Sequence, residues 1–276
     1  VKVGDDLYQI SNNRDVYETG YIVDEIDVSN ECISFTNGVM LYKGDSQGGL
    51  TDEIMKSQIK MAVEEHFKKE KKHHSKGIKT LSLFFIDRVA NYRDYDSDNN
   101  PVQGKFAGWF EETFKEFASK PAFKGLIPFE VEQVHNGYFA QDKKGKLKDS
   151  SETRLGKAED DTFKLIMKDK ERLLDSKEPL RFIFSHSALR EGWDNPNVFQ
   201  ICTLNETRSE LKKRQEIGRG LRLAVNQDGE RIHDRNINKL TVIANESYDD
   251  FAKKLQKEIE EDCGVQFKNR VKNKRK

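Results

Sequence analysis

The distribution of apolar residues divides the chain into a short β-rich region, one long helix and a series of buried strands. In residues 1–44, short apolar runs alternate with turn-forming sequences such as TNG and KGD, which predicts a small antiparallel β region. From residue 51 to residue 72, apolar side chains recur at helical spacing, with Thr51 and Asp52 as possible caps. The polar run KKEKKHHSKG that ends this segment is typical of a boundary.

Five apolar runs of strand length follow this boundary. They occupy residues 80–86, 129–135, 181–185, 198–204 and 239–244. Most of them lie between helical patterns, which cover residues 163–174, 206–220 and 247–262. Continuously apolar strands are typical of a sheet that is buried on both faces, as parallel sheets are. The sequence therefore predicts an α/β fold with a mostly parallel sheet covered by helices.

These patterns predict four parts along the chain. They are a small β-rich region at 1–50, a connecting helix at 51–75, an α/β lobe at 76–262 and a basic tail at 263–276. Turn-forming residues are frequent in 93–160, which predicts an insertion with an exposed loop and a helix at 104–119. The chain has no initiating methionine and opens in a strand-like pattern, so we expect it to be a piece of a longer polypeptide.

Charge and cysteine content limit the possible partners. The 48 basic side chains balance 48 acidic ones, so any contact with nucleic acid requires a local patch. The tail sequence KNRVKNKRK is one such patch, although basic tails are usually solvated. Cys32, Cys202 and Cys263 lack CxxC spacing, which argues against disulfides and a zinc site and favours the cytoplasm. No membrane segment and no secretory signal are predicted.

The sequence QEIGRGLR, at residues 215–222, is the first candidate site. Arg219 and Arg222 are three residues apart and would share one face of a helix. Gly218 and Gly220 weaken a helix and allow its backbone to come close to another group. Two guanidiniums in this position could stabilise the charge on a phosphoryl group during transfer. A solvated helix end is the alternative interpretation of the same residues.

The second candidate site is FSHSALREGWDNPNVFQICTL, at residues 184–204. A buried strand leads there into four polar side chains, Ser185, Ser187, Arg190 and Asp194. Ligands of α/β sheets bind at the carboxyl ends of the strands, where these residues are expected. Hydroxyls and amides suit phosphates, Gly192 allows close approach, and Asp194 could accept from a ribose hydroxyl. A simple turn at residues 194–196 is the alternative.

The order of these two stretches resembles motifs V and VI of superfamily-two helicases and translocases. Three further stretches extend the likeness: KTLSLFFIDRV at 79–89, VHNGYFAQDKKGK at 134–146 and LTVIANESYDDFAKKLQKEI at 240–259. Together they are similar to the second RecA-like lobe of the restriction (Res) subunit of type III restriction-modification enzymes. The resemblance spans roughly residues 76–262 and extends more loosely into the β region. It implies a bacterial, cytoplasmic, ATP-dependent DNA translocase or helicase that is part of an endonuclease.

The resemblance also implies roles for individual residues. Three act on the transferring phosphoryl group: Gln215 near the terminal phosphate, and Arg219 and Arg222 as arginine fingers. Three contribute to nucleotide binding: Gly192, Asp194 and Gly218. Four contact nucleic acid or couple it to the nucleotide: Arg88, Ser185, Ser187 and Arg190. For His186, a packing or hydrogen-bonding role is favoured over a catalytic one.

Departures from the family limit what this chain could do alone. A phosphate-binding P-loop requires GxxxxGK[ST], but each Gly-Lys pair here is followed by Phe, Leu or Ala. The resemblance therefore implies that ATP and Mg²⁺ bind in the full enzyme, with the magnesium ligands outside this chain. It predicts no metal site and no ATPase activity for the fragment alone. The implied partners are double-stranded DNA, the first RecA-like lobe and the modification (Mod) methyltransferase subunit.

Two other features were considered as catalytic sites. YIVDEID, at residues 21–27, imitates an acidic magnesium-binding box, but Asp24, Glu25 and Asp27 are interpreted as exposed carboxylates of the β region. No proline precedes an aspartate, so no nuclease centre is indicated. Two alternatives to the motor remain: a nucleic-acid-binding or docking module without a nucleotide role, and the second lobe of another superfamily-two repair helicase.

Overall fold

A small antiparallel sheet precedes a larger parallel sheet in the computed structural model of the chain. The structure describes residues 1–11, 13–14, 17–43, 52–98, 100–141, 147–148, 164–166, 168–186, 195–205, 210–244 and 246–263. The N-terminal elements are α1 (Leu7–Ile10), β1 (Val23–Asp27), β2 (Cys32–Phe35) and β3 (Met40–Tyr42). The three strands pair antiparallel in chain order, which confirms the predicted antiparallel β region.

The rest of the described chain alternates strands and helices. Its first half contains α2 (Asp52–His74), β4 (Leu81–Ile86), β5 (Arg93–Tyr95), β6 (Pro101–Gln103), α3 (Lys105–Ala118) and α4 (Val131–Val134). A 3₁₀ turn, Val89–Asn91, follows β4. The next strands and helix are β7 (His135–Tyr138), β8 (Ala140–Gln141), β9 (Leu147–Lys148) and α5 (Lys170–Leu174). The last are β10 (Phe182–Ser185), β11 (Val198–Leu204), α6 (Glu210–Gly218), β12 (Thr241–Ile243) and α7 (Glu246–Cys263).

Five of these strands form one parallel sheet in the order β12-β11-β4-β10-β7. Every residue of β4, β10 and β11 is buried, as their continuously apolar sequences predicted. The helices α2 and α3 cover one face of the sheet, where Phe84 and Phe184 stack with ring centroids 4.5 Å apart. Residues of the opposite face, including Leu83 and Ile183, pack against Leu173 of α5. The predicted α/β class is confirmed.

One strand prediction is wrong in position. Residues 129–135 were predicted as a strand, but Val131–Val134 form a helical turn and the strand begins at His135. The side chains of Glu130 and Gln133 form a capping box, in which each accepts a hydrogen bond from the other residue's backbone N–H. This box satisfies the donors at the start of a helix and so favours the helical turn over an extended chain.

The predicted insertion at 93–160 contains elements of the main core. Phe106, Phe110 and Phe114 of α3 are buried in the same cluster as Phe67 of α2. The strand β7, also within this range, forms an edge of the parallel sheet. The bounds of the insertion stay a prediction.

Cys32 and Cys202 are free thiols, and the side chain of Cys263 lies outside the described residues. Burial raises the pKa of Cys202, which keeps that thiol protonated. Among the helices that the structure describes, none is long and apolar enough to cross a membrane.

Three histidines are buried against the parallel sheet. The Nδ1 atoms of His66, His73 and His135 lie 2.8 Å, 3.0 Å and 2.9 Å from the hydroxyl oxygens of Ser82, Thr80 and Tyr92, respectively. Burial lowers the pKa of His73 and that of His135 to about 4, and it lowers the pKa of His66 well below its ordinary value. Burial disfavours the imidazolium in the folded chain, so all three are neutral at pH 7.

We expect the folded chain to lose stability as the pH falls from about 6.5 to about 4. In this window the unfolded chain binds protons that the buried histidines do not, so the free energy of unfolding decreases. Each histidine contributes a slope of about 1.4 kcal/mol per pH unit, and above pH 6.5 the slope from these groups disappears. Urea unfolding at a series of pH values measures it.

Two neighbouring histidines give a matched comparison for this slope. His73→Gln should reduce the slope of the free energy of unfolding against pH by the contribution of about one proton, because His73 is only 2% exposed. His74→Gln should leave it unchanged, since His74 is exposed on the same helix. Equal slopes in the two variants would contradict the assignment.

Candidate functional site

The two candidate arginines lie beyond the end of α6. The predicted helix covered 206–220, but α6 ends at Gly218, and residues 206–209 lie outside the described part of the chain. The N–H of Arg219 donates to the carbonyl of Glu216 at 3.3 Å, and the N–H of Gly220 to that of Ile217 at 3.0 Å. These are turn hydrogen bonds, so the expectation that Arg219 and Arg222 share one helix face is wrong. The glycines end the helix before the second arginine.

The environments of the two arginines differ. Arg219 is 6% exposed, whereas Arg222 is exposed. Nη1 of Arg222 donates to the carbonyl oxygen of Gly218 at 2.6 Å and to that of Arg219 at 3.3 Å. The guanidinium therefore caps the carboxyl terminus of α6, where a positive charge is favourable. Gln215, on the last turns of α6, is half-buried.

Two buried charged residues lie on α6 that the sequence pattern does not single out. Lys213 and Glu216 are 4% and 6% exposed, and with Arg219 they form a line at three-residue spacing with alternating charge. Residues three apart lie on neighbouring turns, so their charges favour one another in this order. The alternation was visible in the sequence. Its burial was not, because a helix with so many polar residues is usually solvated.

The two glycines of this stretch have different surroundings. A Cβ atom on Gly220 would lie 2.4 Å from Cδ1 of Leu240, so a side chain at this position would have to displace the end of the Leu240 side chain. At Gly218, no atom of the described residues lies within 4 Å of the equivalent position. The sequence predicted a close approach of another group at both glycines. Gly220 has one, with Leu240, whereas the space beside Gly218 is open.

The structure joins the downstream ends of the two candidate stretches. The Asn197 side chain accepts a hydrogen bond from the N–H of Val225 at 2.8 Å and donates to its carbonyl at 2.9 Å. Asn195 in turn accepts from the N–H of Asn197 at 3.0 Å, and both asparagines are fully buried. Arg222 is therefore three residues from Val225, which is hydrogen-bonded to Asn197. Gly192 and Asp194 themselves lie outside the described residues.

A second group of candidate residues lies at the carboxyl edge of the sheet. Ser185 ends β10 beside Phe85 and is 1% exposed, while Arg88 is exposed after the end of β4. Nη2 of Arg14, from the β region, lies 2.5 Å from the carboxylate of Asp87 and offsets its charge next to Arg88. His186 is half-buried after Ser185. Ser187 and Arg190 lie outside the described residues.

The end of α6 and the pair Ser185 and Arg88 lie at opposite ends of the parallel sheet. Leu240, which packs against Gly220, precedes β12, whose first residue pairs with Gln200; Ile86 pairs with Leu204. Gln200 and Leu204 are four residues apart on β11, so the start of β12 and the end of β4 are separated by about 13 Å along the strands. Of the four residues expected at the carboxyl edge, Ser185 lies there, while Ser187, Arg190 and Asp194 lie outside the described residues, so their placement stays a prediction. Because β10 and β11 are parallel, the connection has to cross to the amino end of β11.

The acidic sequence of the β region forms the strand β1, and Asp27 begins the turn that follows it. Asp24 and Glu25 are exposed, and Asp27 accepts hydrogen bonds from the N–H groups of Ser29 and Asn30 at 2.9 Å and 3.0 Å. The hydrogen bonds from Asn30 lower the pKa of Asp27. Within the described residues, no group of three or more His, Cys, Asp or Glu side chains is placed to hold a metal ion.

The described elements define an α/β lobe built on a five-stranded parallel sheet. Comparison with curated proteins gives matches to three Res subunits of type III restriction-modification enzymes. The EcoPI subunit of Escherichia phage P1 is 35% identical over 245 residues, and the EcoP15I subunit of Escherichia coli is 38% identical over 228 residues. The StyLTI subunit of Salmonella typhimurium is 34% identical over 249 residues.

These matches cover 83%, 78% and 76% of this chain but only 24%, 22% and 23% of the relatives, so the chain spans about a quarter of their length. The chain is therefore similar to a segment of the Res subunits of type III restriction-modification enzymes. No protein-family model matches the chain.

A solved structure, the DEAD-box helicase domain 2 of Mss116p bound to an RNA duplex, aligns with 76% of this chain and 57% of that chain. The sequence identity is 15% and the TM-score is 0.35, a value too low to establish a common fold.

Proposed function

We propose that this chain supplies the second RecA-like lobe of the ATP-dependent DNA translocase or helicase motor of a type III restriction endonuclease. The kinship with Res subunits supports the class of enzyme. The observation that carries the nucleotide role is the position of Arg222, which is exposed after the end of α6 and lies three residues before Val225, the partner of Asn197. ATP and Mg²⁺ would bind between this lobe and the first RecA-like lobe.

The end of α6 fits a phosphate group in two respects. Arg222 presents a guanidinium at the surface, and the space beside Gly218 is open to the approach of a ligand. ATP supplies the phosphoryl group for transfer, and a guanidinium in this role can contribute about 10³–10⁵ in rate. Gln215, Gly192 and Asp194 would complete the nucleotide side. Arg219 is buried, so in a finger role it requires the turn after α6 to rearrange when the lobes close.

Nucleic acid would bind at the other end of the sheet. Arg88 is exposed there, and the Arg14–Asp87 ion pair reduces the negative charge beside it. Ser185 is buried, so its contact with DNA would require a shift of the residues that cover it; Ser187 and Arg190 would extend the same surface. Double-stranded DNA and the Mod methyltransferase subunit are the proposed partners, and the bacterial cytoplasm is the proposed location.

ATP hydrolysis by the isolated chain and by a full-length Res subunit that contains it tests this function. The full-length subunit should hydrolyse ATP faster when duplex DNA is added, because both halves of the cleft are present. The isolated chain should hydrolyse none, since it has no GxxxxGK[ST] sequence to hold the phosphates. Hydrolysis by the isolated chain, or a full-length subunit that DNA does not stimulate, would overturn the proposal.

A further inference from the structure

Two segments far apart in sequence meet at the amino edge of the parallel sheet. The first, residues 71–76, ends α2 before β4, and the second, residues 228–239, precedes β12. Nζ of Lys72 donates to the carbonyl of Asn236 at 2.5 Å, and Nζ of Lys76 lies 3.5 Å from the Asp234 carboxylate. Because parallel strands begin at the same edge, both segments belong to one surface.

Backbone hydrogen bonds fix the shape of this surface. The N–H of Gln227 donates to the carbonyl of Gly77 at 2.8 Å, which ties the second segment to the turn after α2. The N–H of Ile232 donates to the carbonyl of Ala224 at 2.8 Å. A surface held in this way loses little conformational entropy when it binds a partner.

The two segments carry an excess of positive charge. Six cationic side chains stand against three carboxylates; the cations are Lys71, Lys72, Lys76, Arg231, Arg235 and Lys239. We name these six residues the amino-edge basic surface. All six are exposed. The chain as a whole has a formal net charge of zero, so the excess is local and gives this edge a field of its own.

The residue composition of the amino-edge basic surface favours the binding of phosphate groups over the binding of another protein. The large exposed apolar side chains of the described residues do not include any from these two segments, whereas the centre of a protein interface is usually apolar. The side chains of Lys71, Arg231 and Arg235 make no hydrogen bond or ion pair with other residues that the structure describes. Their donors are therefore available for the oxygens of a sugar-phosphate backbone.

We propose that the amino-edge basic surface binds the backbone of duplex DNA, as a contact separate from the one at Arg88 on the opposite edge of the sheet. The inference rests on the proposed function in taking DNA as the partner. It does not depend on nucleotide hydrolysis, because all six side chains can contact phosphate whether or not ATP is bound.

Salt dependence of duplex binding by the 276-residue chain, measured by fluorescence anisotropy without nucleotide, tests the proposal. We expect measurable binding at low salt. Combined replacement of Lys71, Arg231 and Arg235 by alanine should lower the slope of log K against log[salt] by about two to three, since each phosphate contact contributes about 0.9. These three exposed side chains hold no other described element in place, so the thermal midpoint should not change.

A matched triple variant keeps the change in net charge the same. Lys56, Lys115 and Lys124 are exposed elsewhere, and their combined replacement by alanine should lower the slope by less than about one. An equal reduction in both variants would show a general charge effect and overturn the proposal. So would an unchanged slope in the first variant, or a chain that does not bind duplex DNA at low salt. Failure of the ATPase test would leave this result unaffected.

Discussion

Arg222→Ala in a full-length Res subunit is expected to lower DNA-stimulated ATP hydrolysis by about 10³–10⁵-fold. Positioning and charge stabilisation dominate phosphoryl transfer, and a guanidinium offers a planar fork of donors that other cations lack. Arg222 is exposed at the end of α6, so its replacement removes little packing. Steady-state hydrolysis with saturating duplex DNA measures the effect.

Two variants separate the finger role from a structural one. Arg222→Lys keeps the charge but not the fork, and it should recover only a small part of the activity. Arg214→Ala removes an exposed arginine of the same helix, which pairs with Glu258 at 2.6 Å, and it should leave hydrolysis unchanged. Full hydrolysis by Arg222→Ala would exclude the finger role.

The same variant distinguishes the motor from a nucleic-acid-binding module. If Arg222 contacts the DNA backbone, its removal should lower the salt slope of DNA binding by about one. If Arg222 acts on the nucleotide, the slope should not change. Salt titration of the isolated chain provides this comparison.

Glu70→Ala is expected to destabilise the chain by about 3–5 kcal/mol, because it leaves a buried guanidinium without its carboxylate. Glu70 and Arg181 are each 3% exposed, and Oε1 of Glu70 lies 3.6 Å from Nε of Arg181. The other carboxylate oxygen accepts from the N–H of Thr80 at 2.8 Å. Both interactions link α2 to the amino ends of the central strands. The free energy of unfolding in urea measures the loss.

An exposed ion pair provides the control. Lys56 and Glu112 also join two helices, at 3.2 Å, but their side chains are 52% and 69% exposed. Glu112→Ala should therefore cost less than about 1 kcal/mol. Glu70→Gln should be intermediate, because the amide oxygen can still accept from Thr80. A loss for Glu70→Ala no larger than that for Glu112→Ala would refute the role of the buried pair.

The strands β4, β10 and β11 of the parallel sheet were predictable because each is a continuous apolar run. The runs at 80–86, 181–185 and 198–204 correspond to β4, β10 and β11 within one residue at either end. The run at 129–135 misled because its apolar residues fit both a strand and a short helix, and the capping box of Glu130 and Gln133 decided between them. The spacing of apolar residues does not show which side chains form local hydrogen bonds.

The candidate site was predictable as a set of residues but not as an arrangement. The spacing of Arg219 and Arg222 predicts one helix face, whereas α6 ends at Gly218, before both arginines, and one of them is buried and the other exposed. The pairing register of the strands and the contact of Gly220 with Leu240 place Arg88 and the end of α6 at opposite ends of the sheet. That separation follows from a crossing connection between parallel strands.

The sequence by itself determined the α/β class, the strands and the relation to Res subunits, because apolar runs and short motifs depend on residues close together in the chain. The tertiary structure alone decided which charged residues are buried and which edge each candidate occupies. It also brought Lys72 to Asn236, 164 residues away, and so created the amino-edge basic surface. Burial and electrostatic fields depend on such distant contacts, and the pattern of a single segment does not contain them.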